Sequence, residues 1–146
     1  MPKSSSHRPT PARTTRAPTT SRRTTGQHDS RRFRPNQYDN PNGPLSHYYT
    51  TGPEIWEATD HKVTHFVAGI GAGGTISGTG KYLKEASNGA VKVIGSDPEG
   101  SIYSASSRDE VHQYDIEGVG EDFYPKAFDR NITETSCAYP TPKPLK

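Results

Sequence analysis

The chain has 146 residues, of which 28% are hydrophobic, and it contains 13 prolines and 14 glycines. This composition is lean for one core of that size, so we expect part of the chain to lie outside the folded domain. A single cysteine, Cys137, excludes an internal disulfide, and no apolar run approaches the roughly 18 residues of a membrane span. We therefore expect a cytoplasmic protein with no membrane partner.

Charge separates an N-terminal arm, residues 1–32, from the rest of the chain. The arm has eight Lys or Arg and one acidic residue, whereas residues 33–146 have ten basic and fifteen acidic residues. Because the arm contains no Leu, Ile, Val, Phe, Tyr or Trp, nothing offsets the entropy lost on ordering, and we expect disorder. An organelle transit peptide or a nucleic-acid-binding tail is a weaker interpretation, since the arm lacks an apolar helix face and aromatic residues.

Two helices and two strands are predicted after the arm. The segment TTGPEIWEATD predicts a helix, because Thr51 and Glu54 have the spacing of a capping box. The next segment, KVTHFVAGI, is apolar and rich in β-branched residues, and it predicts a buried strand. A second helix is predicted over residues 75–87, and VKVIG at residues 91–95 predicts a second buried strand.

These elements form a strand, glycine loop, helix and strand, a unit that requires a crossover and a parallel strand pair. The predicted fold class is α/β, with a partial parallel three-layer sheet domain over residues 33–132. Residues 133–146 are expected to form an irregular tail. Prolines at positions 140, 142 and 144 argue against a strand or a helix there.

The glycine loop lies in HFVAGIGAGGTISGTG, at the turn from the predicted strand into the helix. Glycines at such a turn let backbone N–H groups approach an anion, and the helix dipole favours negative charge, so a phosphate is the predicted ligand. The glycines would also suit a tight turn alone. Gly69, Gly71 and Gly74 satisfy G-x-G-x-x-G, and Asp97 follows the second strand, so a dinucleotide such as NAD is an alternative.

Four segments in order resemble the fold-type II pyridoxal-phosphate enzymes that include cystathionine β-synthase and cysteine synthase. They are NQYDNPNGPLSHYYTTGPEIWEATD, VAGIGAGGTISGTGKYLKEA, VIGSDPEGSIYS and YDIEGVGEDFYPKAFDR. The resemblance covers about residues 33–132. It implies a lyase of amino-acid biosynthesis and transsulfuration that joins serine, or a similar amino acid, to homocysteine or sulfide.

The resemblance also implies site residues. In this family a G-T-G-G-T loop holds the cofactor phosphate, and the matching positions are Gly71, Ala72, Gly73, Gly74 and Thr75. Ala72 replaces a threonine, and the lost hydroxyl would weaken cofactor affinity by about 1.5 to 3 kcal/mol. Gln37 matches a residue near the substrate carboxylate, or else it satisfies a buried loop. Gly118 and Gly120 match a loop beside the cofactor ring, or else they are plain turn glycines.

The catalytic part of the family pattern is not found in this sequence. The resemblance implies a Schiff-base lysine in a serine-x-lysine context, and no lysine here has that context. We therefore expect an internal fragment that holds pyridoxal phosphate weakly by its phosphate, has no catalytic residue and forms at most a homo-oligomer. Histidines 47, 61, 65 and 112 show no ligand spacing, so we expect them to be structural or exposed and predict no metal site.

Overall fold

The computed structural model describes residues 35–140, so the expectations for residues 1–32 and 141–146 lie outside the described part. No helix of residues 35–140 is long and apolar enough to cross a bilayer. In chain order the elements are α1 (Asn42–Tyr49), α2 (Thr51–Ala58), β1 (His65–Gly69), α3 (Gly74–Ala86), β2 (Lys92–Pro98), a short 3-10 helix (Arg108–Glu110) and β3 (Thr135–Tyr139).

The strands form one parallel sheet in the order β1-β2-β3. Val67 of β1 lies opposite Ile94 of β2, and Ile94 lies opposite Thr135 of β3. Helix α3 connects β1 to β2, as the strand, glycine loop, helix and strand pattern predicts. The α/β class and the partial parallel sheet are therefore confirmed.

The third strand differs from the prediction, because β3 lies within the segment that was expected to be irregular. Its last residue is Tyr139, and Pro140 follows immediately, so Pro140 lies just after the strand and does not interrupt it. Two contacts with β2 hold the segment in place: Glu134 accepts a hydrogen bond from the Val93 amide at 2.5 Å, and the Glu99 amide donates to the Tyr139 carbonyl at 2.9 Å. Pairing with a long-range neighbour, not local pattern, makes this strand.

The core lies between α3 and one face of the sheet. Ile70, Ile76, Val93, Phe128 and Ile132 form a buried cluster. Helix α3 buries the apolar face that its sequence predicts. A Cβ atom added at Gly80 would lie 3.1 Å from Val93 and 3.2 Å from Ile132, so a small residue there lets the helix approach the sheet closely.

Helix α2 begins at Thr51 as predicted, but the predicted capping box is wrong. Thr50 occupies the N-cap position, and no side chain caps the helix there. Helix α1 ends one residue earlier, so the chain continues from helix to helix, and the Glu54 amide donates to the Thr50 carbonyl at 3.0 Å. This is the first intrahelical hydrogen bond of α2, and Pro53, which has no N–H, reduces the number of amides left without a helical acceptor at this end.

The prediction that β1 is buried is also wrong, because β1 lies at an edge of the sheet. Its residues alternate between exposed and half-buried, and Val67 is 59% exposed. Among the helices of residues 35–140, α3 contacts the sheet, and it does so on the face opposite Val67. The apolar residues of β1 are therefore packed on the face towards α3 and exposed to solvent on the other face within residues 35–140.

We expect the purified protein to self-associate through this open sheet face, because an unpaired strand edge with exposed apolar side chains favours pairing between chains. Val67→Lys should reduce the concentration dependence of the sedimentation coefficient. Glu54→Gln on α2 makes the same change of charge at an exposed position and should leave it unchanged. A wild-type protein that sediments as a monomer at every concentration would contradict this expectation.

Candidate functional site

A cleft of about 280 Å³ opens where β1 ends and α3 begins. Four parts of the chain line it: Gln37; one face of α1 with Gly43, Ser46 and His47; Gly69 with residues 71–76; and Gly118. The glycine loop therefore forms the floor of a cleft, at the carboxyl end of the strands. This is the edge at which open parallel sheets bind ligands.

Backbone amides at the start of α3 provide the cleft with hydrogen-bond donors. The first intrahelical bond of α3 runs from the Ser77 amide to the Gly73 carbonyl at 3.0 Å. The amides of Gly74, Thr75 and Ile76 precede it and have no helical acceptor, and no side chain caps this end within the described residues. Together with the helix dipole, these donors suit an anion.

Close packing explains two of the loop glycines. Gly73 has φ +87°, in the left-handed region, and a Cβ atom there would collide with Phe128. A Cβ atom at Gly71 would lie 2.5 Å from the Gly118 carbonyl oxygen. The tight-turn interpretation of the glycines is therefore correct for these positions, and it is compatible with an anion site because the turn is what presents the amides.

His47 is the functional candidate that sequence reasoning missed. It lines the cleft, its Nε2 lies 3.1 Å from the Thr75 hydroxyl, and its Nδ1 lies 2.9 Å from the Thr51 hydroxyl. These two contacts agree with the expectation of a structural histidine, and the place of His47 in the cleft lining adds it to the candidate site. The i,i+4 spacing to Thr51 was visible in the sequence, but the contact with Thr75 spans 28 residues and needs the packing of α1 on α3.

Of the other predicted site residues, some line the cleft and one does not. Gln37 and Gly118 line the cleft together with residues 71–75. Gly120 does not line it: its amide donates to the Ile70 carbonyl at 2.7 Å, and the residue packs against Tyr114 and Pro98. Gly120 therefore holds the residue that follows β1 and takes no part in the cleft lining. The sequence spacing between Gly118 and Gly120 could not show that only Gly118 faces the cleft.

Asp97 does not serve the dinucleotide alternative. It lies within β2, it is completely buried, and it does not line the cleft. Neither carboxylate oxygen accepts a well-aligned hydrogen bond within the described part of the chain, although the Ser101 and Ser104 hydroxyls are close enough to interact with the carboxylate. Burial raises the pKa of Asp97, and the nearby Ser101 and Ser104 hydroxyls offset part of that shift. The carboxylate needed to hold a ribose is thus out of reach of a ligand.

Two further absences apply to residues 35–140. No group of three or more His, Cys, Asp or Glu side chains could hold a metal ion there. No lysine is among the residues that line the cleft. The donors of the cleft are amides, hydroxyls, an imidazole and a carboxamide, and this set fits a phosphate monoester.

A parallel strand followed by a glycine loop and a helix whose first amides have no helical acceptor is the arrangement with which many α/β proteins bind phosphate. The profile of the family described as "Pyridoxal-phosphate dependent enzyme" matches residues 12–139. The chain therefore belongs to this family, as the resemblance in its sequence predicts. The match begins within the basic arm and ends with β3.

The chain is similar to curated relatives over about two thirds of its length. It is 49% identical over 100 residues to "Cystathionine beta-synthase" of Apis mellifera, covering 67% of this chain and 20% of the relative. It is 43% identical over 97 residues to "Cysteine synthase" of Helicobacter pylori (strain ATCC 700392 / 26695), covering 66% of this chain and 30% of the relative. The chain thus spans less than a third of these relatives.

The fold is similar to that of a solved structure, a hydrogen sulfide-producing enzyme from Fusobacterium nucleatum. The TM-score is 0.67 and the identity is 33%, over 74% of this chain and 36% of that protein. The family implies pyridoxal phosphate as cofactor, and the donor set of the cleft fits the phosphate of that group. The residues that would hold it are the amides at the start of α3 and the Thr75 hydroxyl.

Replacing Gly73 should measure how tightly the loop is packed. Gly73→Ala should lower the free energy of unfolding by about 3 kcal/mol, because it adds a left-handed penalty and a collision with Phe128. Gly89→Ala is the matched control, since Gly89 has φ +83° with open space around it, and it should cost about 1 kcal/mol. Equal losses in urea unfolding would show that the Phe128 contact contributes nothing.

Asp97 should make the protein less stable as pH rises. Because burial raises its folded-state pKa above the ordinary 3.8, its contribution to stability is fully present below pH 3.8 and is lost as pH rises through the raised value. Asp97→Asn should therefore flatten the fall of unfolding free energy with pH, measured by urea unfolding. The exposed Asp109→Asn should keep the wild-type profile. An unchanged profile in Asp97→Asn would refute the assignment.

Proposed function

We propose that this chain carries the phosphate-binding part of a pyridoxal-phosphate-dependent β-replacement enzyme. The reaction would be of the cystathionine β-synthase type, joining serine or a similar amino acid to homocysteine or sulfide. One observation carries the proposal: the segment that matches the family's phosphate loop lies at the N-terminus of α3 and lines the cleft, where its first amides have no acceptor within the helix. The names of the curated relatives support the choice of reaction.

Each cleft residue has a proposed role in binding. The amides of Gly74, Thr75 and Ile76 would donate to the phosphate oxygens, and the Thr75 hydroxyl would add one more donor. His47 would orient that hydroxyl through its 3.1 Å contact. Gln37 would donate its carboxamide N–H to the substrate carboxylate. Pyridoxal phosphate, when bound, supplies an electron sink for a carbanion at the substrate α-carbon.

We propose that the chain is not catalytic by itself. Enzymes of this kind hold the cofactor as a Schiff base on a lysine, and no lysine lines the cleft among residues 35–140. The cofactor would then be held by its phosphate alone. Gly118 lines the cleft and would leave room for the cofactor ring, since no atom lies within 4 Å of an added Cβ.

Partners and location are also proposals. A small amino acid is the proposed substrate of the intact enzyme, and a homo-oligomer is supported by the exposed Val67 on the open sheet face. We propose no nucleic-acid partner, since the described part of the chain is acidic. A cytoplasmic location fits a free, exposed Cys137.

Restoring the missing hydroxyl of the phosphate loop tests this function. Ala72→Thr should raise the affinity for pyridoxal phosphate by about tenfold, because it adds one hydrogen bond to a charged group. Ala72→Val has the same shape without the hydroxyl and should give no gain. Binding is measured by equilibrium dialysis, with pyridoxal as the matched ligand that lacks the phosphate.

Chemical trapping with borohydride is a second test of the proposed function. Borohydride reduction of the protein with pyridoxal phosphate should label no single lysine in stoichiometric amount, and serine with homocysteine should not be turned over. Trapping at one defined lysine together with product formation would overturn the proposed inactivity. Equal affinity for pyridoxal and pyridoxal phosphate would overturn the phosphate site, and tight NAD binding would favour the dinucleotide alternative.

A further inference from the structure

Tyr103 contacts the glycine loop from the side that faces the protein interior. Its hydroxyl donates to the Gly71 carbonyl at 2.6 Å, and its ring packs edge-on against Phe128 with centroids 4.9 Å apart. Phe128 in turn is the residue against which Gly73 is packed. Tyr103 itself does not line the cleft. Tyr103 therefore contacts Gly71 directly. It also packs against Phe128, the residue that contacts Gly73.

Three of the four carbonyls of loop residues 70–73 accept hydrogen bonds from protein donors. The Ile70 carbonyl accepts from the Gly120 amide at 2.7 Å, the Gly71 carbonyl from Tyr103, and the Gly73 carbonyl from the Ser77 amide. A carbonyl oxygen that faced the cleft would repel an anion. Occupying these oxygens with donors from the protein leaves the amides of the loop for the ligand.

The bond from Tyr103 also sets the direction of one amide. The Gly71 carbonyl and the Ala72 N–H belong to the same planar trans peptide and point in opposite directions. Holding the carbonyl towards Tyr103 therefore turns the Ala72 N–H away from Tyr103. A glycine on one side of this peptide gives the plane freedom to rotate, so an external restraint is needed.

The phenol is suited to this task because it stays protonated. Tyr103 is half-buried, and burial raises its pKa, with the nearby carboxylates of Glu121 and Asp97 acting in the same direction. A protonated phenol is a permanent donor to a carbonyl. The backbone that carries it is fixed as well, since the Ile102 amide donates to the Glu121 carbonyl at 2.8 Å.

We propose that Tyr103 is a positioning residue for phosphate: by holding the Gly71 carbonyl, it presents the Ala72 N–H to the phosphate monoester of the ligand. This rests on the proposed function for the identity of the ligand, but not for the effect on the loop. Ala72 stands where the family pattern has a threonine. Its backbone N–H therefore supplies a donor at a position where the side-chain hydroxyl is missing.

Tyr103→Phe tests the proposal, because it keeps the ring against Phe128 and removes the hydroxyl. The affinity for pyridoxal phosphate should fall about three- to tenfold, while the affinity for pyridoxal should stay unchanged. In the free protein, amide hydrogen exchange at Ala72 should accelerate by a similar factor. A residue that merely supports the fold would change both affinities together.

Tyr124→Phe is the matched control, since the Tyr124 hydroxyl also donates to a backbone carbonyl, that of Ile102, at 2.9 Å. It should alter neither the exchange at Ala72 nor the preference for pyridoxal phosphate over pyridoxal. Unchanged exchange at Ala72 in Tyr103→Phe, or the same acceleration in Tyr124→Phe, would overturn the proposal. A wild-type protein that binds no pyridoxal phosphate would refute the proposed function. It would leave the effect of Tyr103 on the loop open to test, because hydrogen exchange at Ala72 is measured in the free protein.

Discussion

The turn from β1 into α3 is the constraint on which the rest of the structure depends. Four residues, 70–73, separate the last strand residue from the first helical residue. The chain reverses within this span by placing Gly73 in a left-handed conformation at the helix N-cap, pressed against Phe128. The same turn leaves the first amides of α3 without an acceptor inside the helix. The packing of Gly73 against Phe128 and the presentation of these amides to the cleft therefore depend on the same backbone geometry.

The elements around this turn act as its supports. Helix α1 contributes His47 to Thr75, the segment after β2 contributes Tyr103 to Gly71, and the loop at Gly120 contributes an amide to Ile70. These contacts join parts of the chain that are far apart in sequence. A cleft built in this way is preorganised, because its donors are oriented by the protein before any ligand arrives.

The sheet is less completely packed than the cleft. Within residues 35–140, one of its faces is covered by α3 and the core, and the other is exposed at Val67. The central strand β2 is mostly buried, whereas β1 at the edge leaves Val67 in solvent. Parallel strands are ordinarily covered on both faces. The three-stranded sheet thus carries the cleft at the carboxyl end of its strands and leaves the apolar side chain of Val67 exposed on its other face.

The sequence by itself determined the local elements and the family. The apolar strand, the glycine run and the helical face of α3 predict the strand, loop and helix, and the position of residues 71–75 at the helix start follows from chain order. Only the tertiary structure decided that β1 is an edge strand, that residues 135–139 form a strand, and that His47 rather than Gly120 lines the cleft. The physical reason is range: periodicity and glycine placement act over a few residues, whereas burial, strand pairing and the contact of Tyr103 with Gly71 depend on which distant segments pack together.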